Sequence, residues 1–156
     1  MSAEWPVAEL NNVRRLRALA EATGATYVED VVPAPYDTVW AVVSDLETGL
    51  PALLPDVRSV RITARAGDRL EMKARGVLGL RGTFELVLRP GWCVMRNSRI
   101  VGGMAAVPEA GGTRFALMGA LTLPGSRLTR PILRPLTRRF SRAAITRLRA
   151  QVGHNR

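Results

Sequence analysis

The sequence predicts an α+β domain in which an antiparallel sheet of seven strands is closed by one long C-terminal helix. Three observations carry this. Turn residues recur at short, even intervals through the middle of the chain. The connections they form are too short for parallel strands, whose crossovers need about a dozen residues. Beyond Pro124-Gly125, Leu133, Leu136, Phe140, Ala144, Leu148 and Val152 follow one another at helical spacing.

Taken in order, residues 6–22 place Leu10, Val13, Leu16 and Ala20 on one helical face, and Gly24 is the stop signal. Residues 26–32, TYVEDVV, are β-branched and aromatic and read as the first strand. Pro35 suits the first turn of a short helix, Asp37 favours its positive end, and Val39, Trp40, Val42 and Val43 form its apolar face. Gly49, Pro51 and Pro55 leave LPALLP room for one or two helical turns.

Turn signals then stand at Gly67-Asp68, Gly79, Pro90-Gly91, Gly102-Gly103, Gly111-Gly112 and Pro124-Gly125. They separate the strand segments VRSVRITAR, RLEMKARGV, LRGTFELVL, WCVMRNSRI, GMAAVPEA and TRFALMGALTL. The second alternates cleanly, with Leu70, Met72 and Ala74 opposed to Glu71, Lys73 and Arg75. Ser126 is a good N-cap for the closing helix, and Pro131 and Pro135 predict a kink or a delayed start.

This order resembles the START-like (SRPBCC) superfamily, which joins lipid-transfer domains with polyketide cyclases and dehydrases. Two segments carry the resemblance. Residues 32–57, VPAPYDTVWAVVSDLETGLPALLPDV, resemble the family's first strand end, tryptophan-bearing helix and following turn. Residues 121–140, LTLPGSRLTRPILRPLTRRF, resemble its last strand, Pro-Gly turn and basic helix start. The resemblance implies a helix-grip fold over residues 26–156, preceded by an N-terminal helical extension over residues 1–25. It also implies a curved sheet with an apolar cavity between sheet and closing helix.

Within that frame Trp40, Met72, Phe84, Met95, Asn97, Phe115, Leu117, Leu136 and Phe140 are the candidate ligand-binding residues. Met72, Met95 and Met118 lie among small residues, a composition that lines an adaptable interior. If WCVMRNSRI is one regular strand, Asn97 shares a face with Cys93 and Met95, and its amide would meet a ligand or water; a surface loop position is the equal alternative. Glu71, Glu85 and Arg99 read as outward strand or turn positions.

Charge is segregated. The 156-residue chain carries a net charge of +10, and residues 110–156 hold ten arginines and no acid. Arg127, Arg130, Arg134, Arg138, Arg142 and Arg149 form the candidate anionic-surface stripe, suited to acidic phospholipid and, as the alternative, to RNA or a ribosomal surface.

Cys93 is the only cysteine and His154 the only histidine. No HExxH, Ser-His-Asp, P-loop or dinucleotide glycine pattern occurs, so no metal, nucleotide or other cofactor is expected. The N-terminus lacks the apolar core of a secretory signal, no apolar run approaches the roughly 20 residues of a membrane span, and a cytoplasmic setting is expected. The functional expectation is a carrier of a lipid, polyketide or isoprenoid that docks on membrane, with a cyclase or dehydratase as the enzymatic alternative.

Overall fold

The computed structural model describes residues 10–79, 81–121 and 141–153. Helix α1 (Asn12–Thr23) begins where the Asn11 side chain accepts from the Arg14 amide and ends at Gly24, whose positive φ of 67° turns the chain into β1 (Thr26–Val32). Helices α2 (Tyr36–Ser44) and α3 (Leu46–Leu53) follow. The remaining strands are β2 (Val57–Ala66), β3 (Arg69–Gly76), β4 (Arg81–Arg89), β5 (Trp92–Arg96), β6 (Ile100–Glu109) and β7 (Gly112–Leu121). A single 3₁₀ turn, Val77–Gly79, opens the β3–β4 connection. Helix α4 occupies residues 141–153, and the rest of the closing helix expected from Ser126, with its proline kink, lies outside the described residues.

All neighbouring strands are antiparallel, in the order β1-β7-β6-β5-β4-β3-β2. The expected seven-stranded curved antiparallel sheet is therefore the observed one: β2 to β7 form a meander and β1 pairs with β7, which leaves β1 and β2 at the edges. The α2–α3 pair carries the chain from one edge to the other, and the Glu47 carboxylate accepts from the Ile62 amide to fix α3 against β2.

Pleat alternation divides the sheet into two apolar faces. The concave face packs Phe115, Cys93, Met104, Leu86 and Met72 against Val39 and Val43 of α2, Leu50 and Leu53 of α3, and Leu148 and Val152 of α4. The convex face is covered at its β1-β7-β6 end by α1, which buries Val13, Leu16 and Ala20 against Ala105, Ala116 and Met118. Met118, expected among the interior-lining methionines, thus faces α1. Its register partners Tyr27 and Gly103 place it on the convex side.

Three boundaries differ from expectation. Gly102-Gly103 is no turn, for both glycines lie within β6 and the reversal falls at Asn97-Ser98-Arg99. The reason is packing on both faces, since a side chain at Gly103 would meet Leu16 Cδ1 at 2.9 Å. WCVMRNSRI is accordingly all of β5, a turn and the first residue of β6. Gly49 and Pro51 lie inside α3, where a Cβ at Gly49 would collide with the Val42 carbonyl, so glycine allows α2 and α3 to touch.

Helix α4 is tied to the open edge of β1. Arg149 Nη2 donates to the Val31 carbonyl at 2.9 Å and pairs with Asp30 at 2.6 Å, which occupies an edge acceptor that would otherwise be unpaired. Just beyond the same end of β1, the buried Thr113 hydroxyl donates to the Ala34 carbonyl at 2.7 Å and joins β7 to the start of the α2 segment. No described helix is long and apolar enough to cross a membrane.

Candidate ligand site on the concave face

The concave face is not uniform. Near α2 and α4 it is closed, because Phe115 and Cys93 have no exposed surface and Met104 has 1%. Farther along the strands side chains shrink or stay half-exposed. Gly119, Gly102 and Met95 adjoin across β7, β6 and β5, Leu117 precedes Gly119 by two residues, and Gly82 adjoins Ala74 across β4 and β3. All six are intermediate in burial. Among the described residues, a Cβ at Gly119 would meet nothing within 4 Å.

Asn97 supplies the polar feature of this patch. Its Oδ1 accepts from the Arg99 and Ile100 amides, each at 2.8 Å, which stabilises the turn and identifies the oxygen. The Nδ2 donors are thereby directed away from the turn. They lie 3.3 Å from the position of a Cβ on Gly82, which shares the concave side with Phe84. A carboxamide NH₂ offers two donors and does not titrate, so it can orient a carbonyl or hydroxyl on an otherwise apolar guest.

Of the residues named from the sequence, Met95 and Leu117 are half-buried on the concave side, and Asn97 directs its amide nitrogen toward Gly82 on the same side. Met72, Phe84 and Phe115 are 2%, 8% and 0% exposed and form its floor and the closed core beside it. Trp40 is half-buried on α2 against the same core. Leu136 and Phe140 lie outside the described residues, as do Arg127, Arg130, Arg134 and Arg138. Arg142 is exposed, whereas the charge of Arg149 is answered by Asp30. Gly102 escaped sequence reasoning because its neighbour Gly103 made the pair look like a turn. A separate groove of about 750 Å³ between α2, α3 and α4, lined by Ala41, Val42, Gly49 and Ala150, contains none of the candidate ligand-binding residues.

Cys93 belongs to the closed part, and burial pushes its thiol up to about 12. A protonated, enclosed sulfur is neither nucleophile nor ligand. Ellman's reagent is expected to find no thiol in the native protein and one per chain in denaturant. Immediate stoichiometric labelling of native protein would instead place the sulfur at an open surface.

A protein-family model described as polyketide cyclase / dehydrase and lipid transport matches residues 24–153. Among solved structures, TTHA0849 from Thermus thermophilus is 25% identical with a TM-score of 0.67, covering 84% of this chain and 98% of its own. The Zhui aromatase/cyclase from Streptomyces sp. R1128 is 18% identical with a TM-score of 0.64, over 83% of this chain and 93% of its own. A START superfamily protein from Mycobacterium smegmatis is 18% identical with a TM-score of 0.59, over 85% and 99%. No curated protein matches. The fold, the order of its elements and a family match across most of its length agree, and the chain belongs to the polyketide cyclase/dehydrase and lipid-transport family.

Proposed function

We propose that this protein binds a hydrophobic small molecule, of the lipid, polyketide or isoprenoid class, against the open end of the concave face. The observation that supports this most directly is that Met95, Leu117 and three glycines share the concave side, toward which the Asn97 amide nitrogen reaches at Gly82, giving an apolar surface with one fixed pair of donors. Apolar area gives affinity and the amide gives orientation. The family description, which includes lipid transport, points the same way. The arginine-rich segment from Arg127 to Arg149 gives the carrier a cationic end suited to acidic phospholipid.

A cyclase or dehydratase needs a group facing the guest that takes up or delivers a proton. The patch residues named above include no titratable side chain, which favours a carrier over a catalyst.

Mass spectrometry of organic extracts from the purified protein tests the proposal. A small apolar molecule is expected to copurify, and Asn97→Leu is expected to weaken its binding about tenfold through loss of the amide donors. Extracts free of any such molecule, together with no binding of a fluorescent fatty acid or polyaromatic probe, would overturn it.

A further inference from the structure

Helix α1 covers only part of the convex face. Beyond it, among the described residues, the same side of β2, β3 and β4 presents Arg61, Lys73, Arg75 and Arg81 around a shallow cleft of about 590 Å³, with the Ser59 and Thr83 hydroxyls beside them. Register sets Arg61 directly opposite Lys73 and Arg75 directly opposite Arg81. None of the four takes part in an ion pair among the described residues.

Like charges facing each other across a ladder oppose folding. Protection of an exposed edge accounts for Arg61 on β2. It does not account for Lys73, Arg75 and Arg81, which lie on interior strands. The β3–β4 connection adds a second feature. It reads Val77-Leu78-Gly79-Leu80, without a polar side chain, and is framed in sequence by Arg75 and Arg81. Backbone reversal starts there, in the Val77–Gly79 turn.

We infer that this hairpin end and the cationic cleft behind it form a docking surface for an anionic phospholipid bilayer. Cations that can meet lipid phosphates, joined in sequence to a connection without a polar side chain, match the composition of a membrane interface. A nucleic acid fits less well, since among the described residues no aromatic side chain lines the cleft to stack a base. The surface is distinct from the arginine-rich C-terminal segment, and the inference does not depend on whether the interior holds a guest.

The full chain is mixed with phosphatidylcholine vesicles, with vesicles also containing phosphatidylglycerol, and with single-stranded and duplex RNA, all at equal ionic strength. Preference for the phosphatidylglycerol vesicles, weakening as salt rises, is expected. Each cation near such a surface contributes roughly a fivefold factor, so the triple variant Lys73→Gln, Arg75→Gln and Arg81→Gln should partition about a hundredfold less at low salt. Leu78→Ser should also reduce partitioning while leaving the salt dependence in place. Circular dichroism is expected to report an unchanged fold for both variants, and the triple variant should retain any copurifying molecule. Undiminished vesicle binding by the triple variant would assign docking to the C-terminal arginines, and stronger binding to RNA than to vesicles would assign a different partner. Either result overturns the inference, as does absence of vesicle binding in the parent protein.

Discussion

Leu16→Ala is expected to destabilise the protein by about 3 to 4 kcal/mol, measured by urea denaturation. Leu16 has no exposed surface and sits at the centre of the contact between α1 and the convex face. The backbone of β6 comes close to it at Gly103, where a Cβ would approach Leu16 Cδ1 to 2.9 Å. Truncation therefore leaves a cavity between two rigid elements that cannot collapse freely. Gly103→Ala should be destabilising alone, and less so in the Leu16→Ala background, where the obstructing methyl is gone. A coupling of about 1 kcal/mol in that cycle is expected. Additive effects, or a Leu16→Ala variant as stable as the parent, would show that α1 is a detachable extension. The matched family region begins only at residue 24, so this helix lies outside it and yet is packed as core.

Gly112→Ala is expected to produce a loss of about 3 to 5 kcal/mol, from the same denaturation curve and a lower thermal midpoint. Gly112 opens β7 with φ of 151°, and a Cβ there would overlap the Val32 carbonyl oxygen. Relief requires β7 to move away from β1, yet Thr113 is paired with Val32 in the ladder and its hydroxyl bonds to Ala34. Those attachments place the strain in the joint between the two chain-distant strands β1 and β7. Gly111→Ala is the control: a Cβ there meets nothing within 4 Å, so only its positive φ of 85° is penalised, by about 1 kcal/mol. Equal losses in the two variants would mean that backbone conformation, and not the collision with Val32, sets the effect.

The strands were legible wherever one face meets water. Leu70, Met72 and Ala74 alternate with Glu71, Lys73 and Arg75 because β3 is covered on its concave side and bare on the other among the described residues. The pattern fails in β6, where Gly103 and Ala105 meet α1 while Gly102, Met104 and Ala106 lie on the opposite face. A strand buried on both sides loses the period of two, and its glycines then look like punctuation. Asn97 illustrates a different failure. A strand face and a surface loop are equally open for it from sequence, and it sits in a turn from which its side-chain nitrogen reaches toward Gly82 on the concave side.

What the sequence determined by itself was the topology: short connections compel antiparallel pairing, and helical spacing at the C-terminus requires an apolar surface to cover. Tertiary structure alone decided which layer covers each face of the sheet, where the concave surface closes and where it opens, and which arginine is neutralised. Arg149 meets Asp30 only once α4 lies along β1, 119 residues earlier in the chain. Periodicity reports that a face is buried. It carries no information about the partner, which is chosen by shape and charge between segments far apart in sequence.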